Sequence, residues 1–223
     1  MAMAVGQLLA VISTLALFLA NALLALLLTR VYLKDRSISS LIWSSGMRLF
    51  AIAILLELLF SLNIYSDFLA KVYIFAIGMP LLIFSIGYMQ FVKSAGAKRM
   101  YYYYCIAIAF LFLFVVAISK FGSIFQHYAV YGNFPIPVLA ISLIIGVSTA
   151  AVSIAVALKY YRTKRNWKML MVIPGVALFF LNNVVHLPFI SPVSLYYYQL
   201  LGIMFIWLGL VGFSNVREYP LIR

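Results

Sequence analysis

The chain has 223 residues, of which 67% are hydrophobic and only 9% are charged, yet its formal net charge is +12. So apolar a composition excludes an ordinary water-soluble domain, because too few polar residues remain to cover its surface. The basic residues are spread over short segments between apolar runs. This pattern is typical of membrane proteins that follow the positive-inside rule, and it does not indicate a nucleic-acid partner.

Seven apolar stretches follow one another along the chain, each near the ~20 residues that a helix needs to cross a lipid bilayer. Their continuous apolar runs lack the alternation of barrel strands, so the stretches are predicted to be helices. The sequence therefore predicts an all-α fold: a single domain, 1–223, that is a polytopic integral membrane bundle of seven transmembrane helices. The predicted helices one to seven are 4–29, 41–65, 68–92, 101–119, 136–158, 169–190 and 194–215.

The distribution of positive charge predicts the orientation of the bundle. Thirteen of the sixteen basic residues follow helices one, three, five and seven, whereas only Lys71 and Lys120 lie on the opposite side. The positive-inside rule then places the N-terminus outside and the C-terminus in the cytoplasm of a multi-pass protein of the cell membrane. Met1 to Gln7 contains no basic side chain, so we expect helix one to remain rather than to be cleaved as a signal peptide.

Helix two contains two charged residues, Arg48 and Glu57, within a predicted span. Charge near the bilayer centre costs ~2.5–3.5 kcal/mol on insertion scales, so each residue needs an explanation. Nine residues of separation place the two side chains on opposite faces and ~13 Å apart along the axis, which excludes a direct pair. Arg48 lies near the cytoplasmic end, where it either extends to the headgroups or has a specific interior role.

Glu57 lies at a depth similar to that of three polar residues of helix six, Asn182, Asn183 and His186. Asn182 and His186 share one helix face because they are four residues apart. We predict that these side chains converge on a polar pocket in the outer half of the bundle. The pocket is either a ligand or proton site or a hydrogen-bonded clasp that only holds the helices together.

Two further features lie near the predicted membrane surfaces. The outer connection Phe121 to Pro135 is long and apolar and contains His127; it either folds over the mouth of the bundle as a lid or lies in the membrane interface. Tyr101 to Tyr104 open helix four and Tyr196 to Tyr198 open helix seven. Both runs are predicted to be interfacial anchors, because amphipathic rings favour the headgroup level.

The sequence lacks the residues that several kinds of cofactor site and catalytic site require. His127 and His186 are the two histidines, which do not form the pairs of a bis-histidine haem site. Helix seven has no lysine for a retinal Schiff base. The single cysteine, Cys105, excludes an intramolecular disulfide and a cysteine-only metal cluster. Without a nucleophile motif, a phosphate loop or metal-ligand spacing, we expect a protein that is not an enzyme, with no metal site and with its cofactor unassigned.

Several segments carry a resemblance. They are ILLELLF of helix two, AKVY entering helix three, QFVKSAG leaving it, and a final stretch with Arg162, Arg165, Gly175, Asn182 or Asn183, Gly202 and the exit GFSNVREYPLIR. In this order the chain resembles the seven-helix N-terminal sensor region of membrane histidine kinases. The resemblance implies an outward-facing sensor bundle in which Glu57 and the helix-six asparagines are the positions carried over. Those kinases continue into signalling domains after helix seven, whereas this sequence stops at Arg223, so the resemblance implies no kinase activity for it.

Together these patterns predict a non-enzymatic membrane protein of receptor or sensor type. It is expected to act through a separate membrane or cytoplasmic protein, with Lys164, Arg165 and Lys168 on the cytoplasmic face contacting that partner. The first alternative is an accessory or structural subunit of a multisubunit respiratory or transport complex. The second alternative is a small transporter.

Overall fold

The computed structural model describes residues 5–121, 125–126, 129–130, 134–184 and 192–214. These residues form seven α-helices, one 3₁₀ helix and a short two-stranded hairpin. In chain order they are α1 (Val5–Asp35), α2 (Ile38–Ser61), α3 (Asp67–Met89), α4 (Ala95–Ile118), β1 (Phe125–Gln126), β2 (Ala129–Val130), α5 (Ile136–Lys164), the 3₁₀ helix (Trp167–Met171), α6 (Val172–Val184) and α7 (Pro192–Ser214).

The helices have the dimensions of membrane spans. Five of them, α1 to α5, are long and apolar enough to cross a membrane. The rest of the described chain contributes two shorter apolar stretches, Trp167–Leu178 and Tyr196–Leu210. The predicted helical character is therefore confirmed, and within the described residues five helices, rather than the predicted seven, have the length and hydropathy of complete spans.

The helices continue beyond the apolar stretches at the ends predicted to be cytoplasmic. The first helix runs to Asp35 and the fifth to Lys164, six residues past each predicted boundary. The fourth begins earlier than predicted because the Ser94 hydroxyl accepts the Ala97 N–H at 3.2 Å and caps it. Hydropathy marks the edge of the hydrocarbon, whereas backbone hydrogen bonds continue until a cap or a left-handed residue such as Arg165 ends the helix.

The helices close into a ring in which α1 packs on both α2 and α7. Further contacts join α2 to α3, α3 to α4 and α5, and α5 to α6. The fourth helix is peripheral, because it buries only a narrow stripe. Large aromatic side chains fill the interior, including Trp43, Phe50, Phe60, Phe84 and Phe112. Such residues supply most of the contact area that holds the helices together.

Two glycines bring α6 and α7 close together. A Cβ atom at Gly175 would lie 2.8 Å from the backbone nitrogen of Ile206, and one at Gly209 would lie 3.0 Å from that of Val172. Small residues permit this approach of backbones in membrane helices. The 3₁₀ helix also packs against α7. The last two helices therefore form a tightly packed unit.

A short antiparallel hairpin lies within the predicted outer loop, so the all-α prediction has one exception. Phe125 pairs with Val130 and Gln126 with Ala129. The second strand, β2, lies against both α2 and α7. The described part of β2 therefore contacts the helices, and the choice between a lid and an interfacial segment stays open.

Candidate functional site

Glu57 occupies a core position of α2. Its side chain is 5% exposed, and it lies on the same helix face as Phe50, Ala53 and Phe60, all of which are fully buried. The spacing of these residues by three and four places them along one stripe. A carboxyl group therefore stands where the helical pattern calls for an apolar side chain.

Two tyrosines from other helices face this carboxyl group. Tyr73 of α3 and Tyr196 of α7 are 4% and 3% exposed, and both interact electrostatically with Glu57. The Tyr196 side chain approaches the carboxyl group, but its hydroxyl does not reach the geometry of an ordinary hydrogen bond to any described residue. The ring of Tyr73 packs edge-on against Phe60, with the centroids 5.6 Å apart. The site thus joins α2, α3 and α7.

Further polar groups lie along the same helices. Gln199 follows Tyr196 by three residues on α7, is 3% exposed, and its Oε1 atom has no hydrogen-bond partner in the described part of the chain. Ser61, one turn beyond Glu57, donates its hydroxyl to the Leu58 carbonyl at 2.7 Å. Its own carbonyl accepts a hydrogen bond from Gln7 of α1 at 3.1 Å. The N-terminal end of α1 and the C-terminal end of α2 are therefore joined beside the site.

The structure places only part of the predicted pocket. Asn182 and Asn183 belong to α6, but their side chains lie outside the described residues, as do His186 and the outer-loop His127. The convergence of helix six on Glu57 therefore stays a prediction.

The two tyrosines are the residues that sequence reasoning missed. Tyr196 was predicted to anchor helix seven at the membrane surface, yet it is buried, while Tyr197 and Tyr198 are 57% and 43% exposed. Consecutive helical residues point ~100° apart, so a run of three cannot share one environment. The available signal was periodicity, because Tyr196 shares a face with Gln199 and the buried Ile203.

Arg48, the other charged residue of α2, does not point into the core. Its side chain is exposed, and its guanidinium donates to the Thr29 hydroxyl at 3.0 Å, near the inner end of α1. This direction agrees with extension toward the headgroups. Asn21 of α1 donates a side-chain N–H to the Met47 carbonyl at 2.6 Å.

A polar latch holds the outer ends of α3 and α4 together near the site. The Asp67 carboxylate accepts the Phe121 N–H at 3.0 Å and pairs with Lys71 at 3.1 Å. Lys71 also donates to the Ala117 carbonyl at 2.9 Å, and the Tyr65 hydroxyl donates to the Phe121 carbonyl at 2.9 Å. Burial and the neighbouring Asp67 charge raise the pKa of Tyr65, which keeps its hydroxyl a donor. The latch fixes the start of the outer loop.

The chemical groups of the site are ones that can hold a proton or a small cation. No lysine or arginine of the described residues forms a salt bridge with Glu57. A charged carboxyl group removed from water is costly without a cation, so its charge depends on what it binds. The two tyrosine hydroxyls can donate to a carboxylate or accept from a carboxylic acid. Within the described residues no group of three metal-ligating side chains occurs.

The basic residues predicted to contact a partner lie together at the end of α5. Lys164 and Arg165 are exposed, and Lys168 is half-buried on the 3₁₀ helix.

Comparison with protein-family models, with curated proteins and with solved structures finds no match to this chain.

Proposed function

We propose that the protein is a seven-helix membrane sensor that detects a proton or a small cation at Glu57 and acts through a separate membrane or cytoplasmic protein. The observation that carries the proposal is the position of Glu57, a buried carboxyl group between α2, α3 and α7 that forms no salt bridge within the described residues. Because an insertion cost of several kcal/mol opposes such a group, its presence in the core supports a role beyond packing.

The architecture supplies a route from this site to the inner side. Tyr196 lies near the outer end of α7, and the same helix packs on α1, α6 and the 3₁₀ helix. The close contacts at Gly175 and Gly209 join α6 to α7, so displacement of α7 would also displace α6. A change of charge at Glu57 alters its interaction with Tyr196 and so supplies the differential free energy that a conformational switch needs.

The proposal includes the N-out orientation. Single cysteines that replace Ser66 and Ala97, in a Cys105→Ser background, test it in intact cells with a reagent that does not cross membranes. Labelling at position 66 with protection at position 97 is expected. The reverse pattern would contradict the orientation.

The sensing step is tested by distance measurements between spin labels at Trp207→Cys in α7 and Leu158→Cys in α5, again without Cys105. Both native side chains are partly exposed, so labels fit without entering the core. The distance distribution is expected to change with pH or with added cation in the parent protein and to become invariant in Glu57→Gln. An unchanging distribution in the parent protein, or a response that survives Glu57→Gln, would refute the sensor.

The alternative function, an accessory subunit of a membrane complex, draws support from α4. Phe110 and Phe114 on this peripheral helix are 69% and 62% exposed, a large apolar surface that either lipid or another subunit can cover. Purification in mild detergent separates the two functions, because redox or transport proteins that co-purify through α4 would favour the subunit.

A further inference from the structure

The inner turn, Lys164 to Lys168, combines positive charge with an exposed aromatic ring. Lys164 and Arg165 are exposed, Lys168 is half-buried, and Trp167 between them is 56% exposed. The turn joins the end of α5 to the 3₁₀ helix that leads into α6. Since both α-helices are apolar, the turn lies where hydrocarbon gives way to water.

Local hydrogen bonds fix the direction of the exposed indole. Arg165 adopts a left-handed conformation with φ 53° and donates its N–H to the Tyr161 carbonyl at 2.7 Å, which ends α5. The Asn166 side chain then accepts the Lys168 N–H at 3.2 Å and begins the 3₁₀ helix. On this helix Met169 is fully buried, so Trp167, two residues earlier, points away from the core.

The charges of the inner turn are not balanced within the described chain. Lys164, Arg165 and Lys168 form no salt bridge there. None of the three described carboxylates pairs with this turn: Glu57 is buried in the core, Asp67 pairs with Lys71, and Asp35 at the end of α1 forms no salt bridge with it. Within the described residues the inner turn therefore keeps a net positive charge, which an anionic partner can balance.

We propose that the inner turn binds the headgroup phosphates of anionic phospholipids in the inner leaflet. Basic side chains beside an anionic leaflet attract its phosphates, and a tryptophan ring at the same level prefers the headgroup region. An acidic protein could also contact the charges and the indole, but the position of the ring at the ends of two apolar helices favours the headgroup region of a membrane. The binding of lipid here replaces the predicted protein contact of Lys164, Arg165 and Lys168. It depends on the orientation of the bundle and not on sensing at Glu57.

The turn between α1 and α2 provides a matched control. It carries three basic residues, Arg30, Lys34 and Arg36, whereas the same span at the end of α5 contains two more, Lys159 and Arg162. Arg36 is left-handed at φ 52° like Arg165. This turn contains Asp35, and the Arg36 guanidinium lies 5.9 Å from the centre of the Tyr32 ring. Its charge is therefore partly compensated within the chain, and it has no tryptophan.

The experiment is native mass spectrometry of the purified full chain, which counts retained phosphatidylglycerol against phosphatidylcholine. One variant combines Lys164→Gln, Arg165→Asn and Lys168→Gln, and the control variant combines Arg30→Gln, Lys34→Gln and Arg36→Asn. Asparagine tolerates the left-handed conformation at both turns, so both variants keep their backbone. A Lys164→Gln single variant, altered at one exposed residue, covers the case in which the triple variant fails to fold.

The preference for phosphatidylglycerol is expected to fall roughly a hundredfold in the inner-turn variant, since each basic residue at an anionic surface strengthens binding roughly fivefold. The single variant should lose about fivefold, and the control should lose far less than the inner-turn variant. Equal losses at both turns, or no loss at either, would overturn the proposal. Displacement by glycerol phosphate alone would indicate a soluble anion site, and loss of a co-purifying acidic protein with lipid retention unchanged would indicate a protein contact; either result overturns it.

Discussion

The two charged residues of α2 lie nine positions apart and differ in burial. Arg48 is exposed, and its guanidinium reaches the Thr29 hydroxyl near the inner end of α1. Glu57 is buried near the C-terminal end of α2 between tyrosines of two other helices. A long side chain near a helix end can carry its charge toward water, whereas a short one facing the core cannot.

The difference shows which of the two residues needs a functional explanation. Arg48 has a route toward the headgroups, so its charge is tolerated at small cost. Glu57 has no such route, and a well-packed apolar side chain of similar volume would satisfy the same core position. Stability alone does not account for a carboxyl group there.

The largest expected effect comes from a cation in place of the buried acid. Glu57→Lys puts an ammonium group among Tyr73, Tyr196 and Phe60, and should lower the free energy of unfolding by ~3–5 kcal/mol, the cost of an uncompensated buried charge. Reversible unfolding in mixed micelles, followed by circular dichroism, measures it. Arg48→Lys is the control and should remain close to the parent. Equal stability of the two variants would mean that Glu57 has an exit to water.

An apolar replacement of the same residue should separate stability from response. Glu57→Leu is expected to leave the free energy of unfolding unchanged or to raise it by ~1 kcal/mol, because the desolvation cost of the acid disappears. The distance change between α5 and α7 should be lost at the same time. A marked loss of stability in Glu57→Leu, with the response retained, would instead support a purely structural clasp.

The surroundings of Glu57 illustrate how much of the candidate site could be predicted from the sequence. Hydropathy predicted the helices because lipid allows a spanning chain few other backbone structures. It also singled out Glu57, since charge in an apolar run is conspicuous. It did not identify Tyr73 and Tyr196 as its neighbours, because tyrosine is compatible with both a core and an interface, and the choice depends on which helices pack together. The only usable signal for the burial of Tyr196 was the periodicity of α7.

Loss of the facing hydroxyl should produce a smaller change. Tyr196→Phe removes the hydroxyl that faces the Glu57 carboxyl group, so the midpoint of the distance change should shift while the response itself is retained. Since the hydroxyl makes no ordinary hydrogen bond among described residues, the free energy of unfolding should change by less than ~1 kcal/mol. Tyr197→Phe, on the exposed side of the same helix, should shift neither quantity.

The smallest effect is expected at the inner charge. Arg48→Gln removes an exposed guanidinium and one hydrogen bond, and should change the free energy of unfolding by ~0.5 kcal/mol. Thr29→Val tests the same bond from the other side, and the double variant should show little additional loss. A cost comparable to that of Glu57→Lys would remove the distinction between the two charges of α2.

The most direct test of the account is infrared difference spectroscopy of the reconstituted protein between two external pH values. Titration of Glu57 should produce a carboxylic-acid carbonyl band that appears with acidification, vanishes in Glu57→Gln and remains in Asp67→Asn, the exposed acid of the outer latch. A spectrum without such a band, or a band that persists in Glu57→Gln and vanishes in Asp67→Asn, would contradict a sensor built around the buried carboxyl group.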